Sequence, residues 1–425
     1  MRVLFTAAPG TSIFLSMVPL AWALRTAGHE VRFASQPRFA DEITRAGLTA
    51  VPVGRNYTLS RVMEWAGIDP FEGVRADLPP PWDVVNDPAG ATFAHLLKGC
   101  AAQVEDIDKP ENFPLVAGLV DFARAWRPDL VIWEPFTYAG AIAAKASGAA
   151  HARLLWGLDV FGATREHFLR LKAEQPAHAR PDPLAEWLGG YARKYGGEFT
   201  EDMTTGHFTI DQFPGCLQLE AGHLEYVRMQ YVAYNGPASV PKWLWATPAR
   251  PRVALTMGLT ATDLFDGYTI NTQDVLDSLA DLDIEVVATI ADEEKAKLRR
   301  IPDNARLLPF VPLHALAPTC SVVIHHAGPG TIGTVARHGV PQLSVPYSFD
   351  EPILARRLTE RGAGLELPHG KATGQAVREH VLRLLNEPEF RAGAAALRDE
   401  MLALPTPNAL VPRLEELTAR HRPAA

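Results

Sequence analysis

The chain has 425 residues, of which 47% are hydrophobic and 21% charged, and this length favours two domains over a single core. The composition excludes a disordered chain, and a formal net charge of −8 argues against a nucleic-acid-binding protein, which needs basic side chains to contact phosphates. Cys100, Cys216 and Cys320 are far apart and form neither a disulfide framework nor a metal motif. We therefore expect a reduced, cytoplasmic protein.

The first residues predict a β-α-β unit. Residues 2–7 read as a short apolar strand, residues 14–26 as a helix that Gly28 terminates, and residues 30–34 as a second strand. The apolar run over residues 13–24 is interrupted by polar and proline residues and follows a strand rather than a basic leader. The sequence therefore predicts neither a signal peptide nor membrane insertion.

Two long stretches that follow, about 55–113 and 160–215, show weak periodicity and are rich in proline, glycine and aromatic residues. Long irregular segments inside a compact domain are usually functional or disordered. We interpret these stretches as the walls of a site for a bulky apolar ligand, and plain structural packing is the alternative. Their aromatic residues include Trp65, Trp82, Phe93, Phe161, Phe168 and Trp187.

A proline-rich linker, residues 237–250, separates two series of strands and helices. Residues 1–236 form the first predicted domain and residues 251–405 the second, and residues 406–425 hold a final helix. Tandem α/β domains with parallel sheets leave a cleft between the carboxyl ends of their strands. That cleft is the expected active site.

A loop of histidine and glycine in the second domain gives the strongest local signal. Residues 324–331 read Ile-His-His-Ala-Gly-Pro-Gly-Thr and lead from a strand into a helix. Free backbone N–H groups and the positive end of the helix dipole predict phosphate binding at this point. Gly328 and Gly330 let the backbone approach closely, Thr331 adds a hydroxyl donor, and His326 can donate to a phosphate oxygen.

Two other interpretations of this loop stay open. In the first interpretation, the loop is a purely structural tight turn. In the second, residues 328–333 match the GxGxxG fingerprint and Asp350 follows at the distance of a ribose contact, which indicates an NAD-linked oxidoreductase. That fingerprint normally opens a βαβ unit early in its domain, whereas this loop comes late and follows two histidines.

The loop also resembles the donor site of GT-B nucleotide-sugar glycosyltransferases, and the chain is similar to the bacterial enzymes that attach deoxysugars to antibiotic polyketides. Further motifs that carry the resemblance are Gly-Val-Pro-Gln at 339–342, Ser-Phe-Asp-Glu-Pro at 348–352, Arg-Pro-Asp-Leu-Val-Ile-Trp-Glu-Pro at 127–135 and Tyr-Asn-Gly-Pro at 234–237. Similar motifs run in order along essentially the whole chain.

The resemblance implies an α/β chain of the GT-B fold, with two Rossmann-like domains facing across a cleft. It implies an inverting transfer of a deoxysugar from a dTDP-sugar to a polyketide or other aromatic or macrocyclic acceptor. It implies no metal and no cofactor, a first domain that binds the acceptor, a second that binds the nucleotide sugar, and a final helix that packs back on the first. Some relatives that use amino-deoxysugars need an activating partner resembling a cytochrome P450, so the resemblance also implies such a partner here. A homodimer is a separate expectation.

The resemblance assigns the donor site residue by residue. His326 contacts the diphosphate with the helix N-terminus, Phe310 and Val311 flank the base, and Asp350 with Glu351 meets the sugar hydroxyls. The donor-binding residues implied are Gly258, Phe310, Val311, His326, Gly328, Gly330, Thr331, Asp350 and Glu351. The expected acceptor-binding residues are Ile13, Trp65, Trp82 and Phe136.

Ile13 is the main departure from the family pattern. Relatives place a catalytic histidine at this position, where it deprotonates the acceptor hydroxyl, and isoleucine cannot accept a proton. Three interpretations remain open. Glu134, at the end of a strand directed toward the cleft, serves as the base; the acceptor is a phenol or an aromatic carbon that needs less help; or the protein is a catalytically weakened donor-binding partner. Alternatively, Glu134 merely caps its strand.

Two smaller departures concern the second domain. Ala327 stands where relatives usually have glycine, and Glu351 where glutamine or asparagine is common. The extra negative charge of Glu351 favours an amino sugar, unless Glu351 accepts the same hydroxyl bonds that glutamine would.

Overall fold

The computed structural model describes residues 1–65, 77–258, 268 and 270–422. Its first sheet has seven parallel strands in the order β3-β2-β1-β4-β5-β6-β7. The strands are β1 (Arg2–Thr6), β2 (Glu30–Ser35), β3 (Ala50–Pro52), β4 (Leu130–Trp133), β5 (Ala150–Leu154), β6 (Phe208–Asp211) and β7 (Tyr226–Arg228). Every residue of β4 is buried, as expected for a parallel strand covered on both faces.

Helices cover both faces of this sheet. They are α1 (Thr11–Thr26), α2 (Ala40–Arg45), α3 (Leu59–Trp65), α4 (Phe93–Gln103), α5 (Lys109–Trp126), α6 (Ala139–Ser147), α7 (Val160–Ala173), α8 (Pro183–Lys194) and α9 (Asp202–Thr205). A π-helical turn, Val104–Asp108, joins α4 to α5. Within the described residues no helix is long and apolar enough to cross a membrane.

The interpretation of residues 55–113 and 160–215 as irregular is wrong for much of their length, because they contain α3, α4, α7, α8 and α9. Proline and polar residues mark the starts of these helices instead of breaking them. Asp182 accepts a hydrogen bond from the N–H of Ala185, and Pro183 occupies the first turn of α8, where its missing N–H has no cost.

The second sheet has six parallel strands in the order β10-β9-β8-β11-β12-β13. Its strands are β8 (Arg252–Thr256), β9 (Glu285–Thr289), β10 (Ala305–Leu308), β11 (Val322–His325), β12 (Gln342–Ser344) and β13 (Gly364–Glu366). Its helices are α10 (Thr272–Ser278), α11 (Asp292–Lys295), α12 (Leu313–Leu316), α13 (Pro329–Ala336), α14 (Glu351–Glu360), α15 (Gly374–Asn386) and α16 (Pro388–Ala403).

The strand order reverses between β1 and β4 in one sheet and between β8 and β11 in the other. In open α/β sheets the ligand crevice lies at the carboxyl ends of the strands, at this reversal. The fold therefore directs the loops after β1, β4, β8 and β11 toward binding sites.

The two domains share apolar contacts, and the chain ends on the domain where it began. One cluster of buried residues contains Trp82 and Phe161 from the first domain and Ile332 and Leu354 from the second. The last helix, α17 (Pro407–His421), contributes Leu410, Val411, Leu414 and Leu417 to the core of the first domain, beside α1 and β5.

Candidate active site

The imidazole of His326 lies between two glycines that follow β8 and β11. A Cβ atom placed on Gly258 would lie 2.4 Å from its Cε1, and one placed on Gly328 would lie 2.2 Å from its Nε2. Gly258 also has a positive φ of 74°. Both positions therefore need glycine, and the N-terminus of α13 begins directly after Gly328. Burial lowers the pKa of His326 to about 4, so its ring is neutral at pH 7.

The neighbouring His325 has a structural role. Its Nδ1 accepts the N–H of Ala327 at 2.9 Å, which leaves Nε2 to donate to Oε1 of Gln342 at 2.8 Å. The contact to His325 restrains Ala327, whose φ of 70° is unusual for alanine. The residue that departs from the family glycine thus adopts the conformation that glycine favours.

Asp350 and Glu351 both lie at the start of α14 but face different partners. Asp350 Oδ2 accepts the N–H of Leu158, in the first domain, at 2.8 Å, and burial raises the pKa of Asp350 to about 6. Glu351 Oε2 accepts the N–H groups of Tyr347 and Ser348, while its Oε1 lies 3.7 Å from Nε2 of His326. Burial raises the pKa of Glu351 to about 8. The structure thus brings Glu351 close to His326.

The remaining residues assigned to the donor have different exposures. Thr331 lies half-buried in the first turn of α13 and Gly330 is exposed there. Val311 is buried in the second domain. Phe310 is 48% exposed and lines a cavity of about 240 Å³ together with residues of α1 and of the linker.

Glu134 follows β4 and is completely buried. Its carboxylate accepts the hydroxyl of Thr137, the N–H of Phe136 at 3.0 Å and the indole N–H of Trp156 at 3.3 Å. The N–H of Ala8, in the loop after β1, donates to Oγ1 of Thr137 at 2.9 Å. Burial raises the pKa of Glu134, which the hydrogen bonds oppose.

Ile13 lies in the first turn of α1, half-buried against the core of the first domain. Its Cδ1 is 3.5 Å from the position that a Cβ on Gly10 would occupy. The residue at the position of the family histidine therefore offers only apolar contact.

A group of rings that we call the aromatic cluster spans the cleft; its members are Trp82, Phe136, Trp156, Phe161 and Phe349. The centroids of Trp82 and Phe349 are 5.2 Å apart, and those of Phe136 and Phe161 are 5.0 Å apart. Phe349 belongs to the second domain and has a φ of 51°. These rings pack on one another in the buried apolar cluster that the two domains share, and two of them, Trp82 and Phe136, are predicted acceptor residues.

The sequence analysis left Trp156 and Phe349 out of the acceptor site, although each comes within two to five residues of the end of a buried strand. It also included residues that lie elsewhere. Phe93 packs on Phe168 in a separate small core, so the interpretation of these two as ligand-site residues is wrong. Trp187 packs on Tyr138 and lines a cavity of about 470 Å³ whose lining includes no member of the aromatic cluster. All three residues lie on helix faces that contact other helices. The side chain of Trp65 lies outside the described part of the chain.

Among the described residues, one group has ligand atoms close enough to hold a metal ion: His151, Asp202 and His207. However, Nδ1 of His151 accepts the indole N–H of Trp133, and Nδ1 of His207 accepts the backbone N–H of His151. Both Nε2 atoms therefore carry hydrogen and face the Asp202 carboxylate, at 2.9 and 3.8 Å. These residues form a hydrogen-bonded cluster that the sequence analysis missed, and they do not fit a metal site.

Comparison with known proteins gave matches over both domains. The family models described as the N-terminal and C-terminal domains of erythromycin biosynthesis protein CIII-like proteins match residues 22–258 and 273–417. The chain is 45% identical over 432 residues to the 10-deoxymethynolide desosaminyltransferase of Streptomyces venezuelae, covering 99% of this chain and 98% of that protein. It is 45% identical over 437 residues to the TDP-daunosamine transferase DnrS of Streptomyces peucetius, covering 100% and 99%.

A solved structure, that of the glycosyltransferase VinC in complex with dTDP, superposes with a TM-score of 0.87 at 39% identity. The match covers 99% of this chain and 100% of that one. Sequence and structure comparisons therefore agree on both domains and on their arrangement, and they confirm the predicted fold.

Proposed function

Because the chain belongs to the erythromycin biosynthesis protein CIII-like family of GT-B glycosyltransferases, we propose that it transfers a deoxysugar from a dTDP-sugar to a polyketide or other aromatic or macrocyclic aglycone, with inversion at the anomeric carbon. The observation that carries the proposal is the position of His326. The carboxyl ends of β8 and β11 meet where the strand order reverses, and there the imidazole, two glycines and the N-terminus of α13 converge.

In the proposed donor site, the backbone N–H of Gly330, the hydroxyl of Thr331 and the imidazole of His326 hold the diphosphate. These donors stabilise the charge that develops on the leaving diphosphate as the acceptor oxygen attacks the anomeric carbon in line. Phe310 and Val311 flank the base. Asp350 and Glu351 meet the sugar hydroxyls. A cationic amino group on the sugar stabilises the ionised form of Glu351, whose pKa burial raises to about 8, and this favours an amino sugar.

The proposed acceptor site is the apolar wall of the cleft. The partly exposed members of the aromatic cluster, Phe136, Trp156 and Phe349, offer ring faces and edges to a flat polycyclic or bulky macrocyclic aglycone. Ile13, in the first turn of α1, is a further proposed acceptor residue. Holding the acceptor hydroxyl against the anomeric carbon supplies much of the rate, because positioning replaces a bimolecular encounter.

We propose Glu134 as the base that replaces the family histidine. Its raised pKa supports this role, because a base works best when its pKa approaches the working pH. The proposed route runs through Thr137 in two coupled transfers. The acceptor hydroxyl gives its proton to Oγ1 of Thr137, and Thr137 gives its own hydroxyl proton to the carboxylate of Glu134. The contact between Thr137 and the carboxylate supports the second transfer, and the first requires the loop after β4 to open, because Thr137 is 1% exposed.

A second candidate function is favoured by the complete burial of Glu134 and by the apolar Ile13. With no base exposed to the cleft, the chain suits an acceptor that needs little deprotonation, such as an aromatic carbon that forms a C-glycoside, or acts as a catalytically weakened donor-binding partner. A partner protein resembling a cytochrome P450 is a further proposal that rests on the family resemblance. A cytoplasmic location is proposed from the scattered cysteines, and a homodimeric state is a separate proposal.

The proposal is tested by the thermal stability of the protein with dTDP, UDP, GDP and NAD at equal concentrations. A ligand that binds only the folded state raises the melting temperature according to its affinity. We expect a selective rise with dTDP that is lost in His326→Ala. A rise with NAD alone, or with none of the four, contradicts the donor assignment. Turnover is then assayed with dTDP-sugars and 10-deoxymethynolide, the aglycone named in the Streptomyces venezuelae relative.

A further inference from the structure

The segment from residue 155 to residue 159 connects β5 to α7 and faces the start of α14 across the cleft. The N–H of Leu158 donates to Oδ2 of Asp350 at 2.8 Å, although the two residues are 192 positions apart. A Cβ placed on Gly157 would lie 2.4 Å from the same oxygen. Because a Cβ at position 157 would overlap this oxygen, only glycine allows the segment to approach the Asp350 carboxylate so closely.

The side chain of Gln218 makes two hydrogen bonds to the backbone of this segment. Its Oε1 accepts the N–H of Asp159 at 2.7 Å, and its Nε2 donates to the carbonyl of Gly157 at 3.2 Å and to Oδ1 of Asp211 at 2.9 Å. The side-chain amide thus binds the backbone on both sides of Leu158. Gln218 is 2% exposed, so water does not compete for these hydrogen bonds.

The same residue contacts the second domain. The backbone carbonyl of Gln218 accepts a hydrogen bond from Nη1 of Arg357 at 2.8 Å. Arg357 belongs to α14, and Asp350 precedes the first residue of that helix. Gln218 is therefore bound to the segment that donates to Asp350 and also to the helix that presents Asp350.

We propose that Gln218 is a positioning residue that orients the Asp350 carboxylate and thereby determines how tightly the enzyme binds the sugar of its donor. The inference rests on the proposed role of Asp350 as a sugar ligand. A carboxylate offers about four lone-pair sites, so the single N–H of Leu158 orients Asp350 and leaves acceptor capacity for a sugar hydroxyl. Gln218 acts on the sugar only through this contact, because its own amide is engaged by protein groups.

Gln230 provides a matched control. It is also a buried glutamine that bridges the domains: its Nε2 donates to the carbonyls of Leu402 and Leu404, and its Oε1 accepts from Arg337 at 2.9 Å. In the described part of the chain its hydrogen bonds do not involve the segment at 155–159 or α14. Loss of its contacts reports on domain association without moving Asp350.

The test is isothermal titration of the full chain with dTDP and with dTDP-glucose as probes. The readout is the ratio of the two dissociation constants, which isolates the contribution of the sugar. We compare the wild type with Gln218→Ala, Asp350→Ala, the double variant and Gln230→Ala. If Gln218→Ala fails to fold, Gln218→Met replaces it, since Met fills nearly the same volume and lacks both the amide acceptor and the N–H donors.

We expect Gln218→Ala to reduce the preference for dTDP-glucose by about tenfold, the scale of one hydrogen bond to a charged group, with dTDP affinity unchanged. Asp350→Ala should reduce this preference at least as much. The double variant should reduce it no further than Asp350→Ala alone, because the effects of two residues that act through one contact are not additive. Gln230→Ala should not change the preference.

Additive losses in the double variant, an equal loss of affinity for dTDP, or a wild-type ratio near one each overturn the inference while leaving the donor site intact. A wild type that binds neither probe overturns the proposed function, and this inference with it.

Discussion

The indole N–H of Trp156 donates to the carboxylate of Glu134 at 3.3 Å, which joins the aromatic cluster to the buried acid after β4. An aglycone that packs on the aromatic cluster is therefore separated only by Trp156 from Glu134, the acid that we propose as base. The same hydrogen bond also suits a purely structural role, in which Glu134 holds Trp156 and the loop after β1 in place.

Substitution of Glu134 by glutamine separates these roles. If Glu134 is the base, Glu134→Gln lowers kcat by about 100-fold or more, while the KM for the donor and the melting temperature change little. The wild-type kcat rises with pH through the raised pKa of Glu134, and this rise is absent from the variant. Steady-state kinetics between pH 5 and pH 9 measure both effects. A variant with nearly normal kcat and a lower melting temperature would show that Glu134 is only a structural brace.

Gly328 leaves the space that the His326 ring fills, so Gly328→Ala should displace the ring and weaken dTDP binding by about tenfold, a typical consequence of overpacking. Gly190→Ala is the control, since Gly190 lies on the exposed face of α8, where a Cβ would meet no atom within 4 Å. Titration calorimetry with dTDP measures both variants. Equal affinities for the two would contradict the placement of His326 at the diphosphate.

Trp82 lies at the centre of the aromatic cluster, in contact with Phe136, Phe161 and Phe349. We expect Trp82→Ala to raise the KM for the acceptor by about tenfold and to lower the melting temperature, because Phe136 and Phe349 lose the buried ring on which they pack. Trp82→Phe should recover part of the loss. Trp187→Ala removes a tryptophan outside the cluster, and an equal effect there would contradict an acceptor role for Trp82.

Asp108, in the π-helical turn, predicts a pH-dependent stability. Burial raises its pKa from 3.8 to about 7, so between these values the unfolded state releases a proton that the folded state keeps, and stability falls as pH rises. Asparagine does not titrate. Between pH 5 and pH 7, the free energy of unfolding of Asp108→Asn should therefore rise by about 2 kcal/mol relative to that of the wild type. Above pH 8 this difference should not change further.

Urea unfolding at each pH measures this difference. Asp106→Asn, on the exposed side of the same turn, is the control and should follow the wild type across the range. A constant difference between Asp108→Asn and the wild type would show that Asp108 has an ordinary pKa.

The last helix should stabilise the first domain. Leu414 is completely buried in that core, and Leu414→Ala should lower its free energy of unfolding by about 2–4 kcal/mol through lost burial and a residual cavity. Leu402→Ala, at a leucine that is 41% exposed, should have little effect. The first transition in urea unfolding reports the change. Equal small effects would contradict a structural role for α17.

What the sequence determined by itself is largely local. Strand and helix periodicity, and a histidine-glycine loop between a strand and a helix, indicated tandem α/β domains and a phosphate site near His326. These signals are readable because a cap, a helix dipole or an apolar period depends on residues within a few positions of one another. The family resemblance rested on the same local motifs, and the comparisons confirmed it.

Only the tertiary structure decided which side chains meet. Glu134 was recognised as a residue at a strand end, but its complete burial depends on Ala8, Thr137 and Trp156, which separate chain segments supply. Gln218, Leu158 and Asp350 are likewise joined across the cleft by the docking of two sheets. Such contacts arise from strand order and domain packing, and no local pattern encodes them, because hydrogen bonding and pKa values depend on the neighbours that folding brings within a few ångströms.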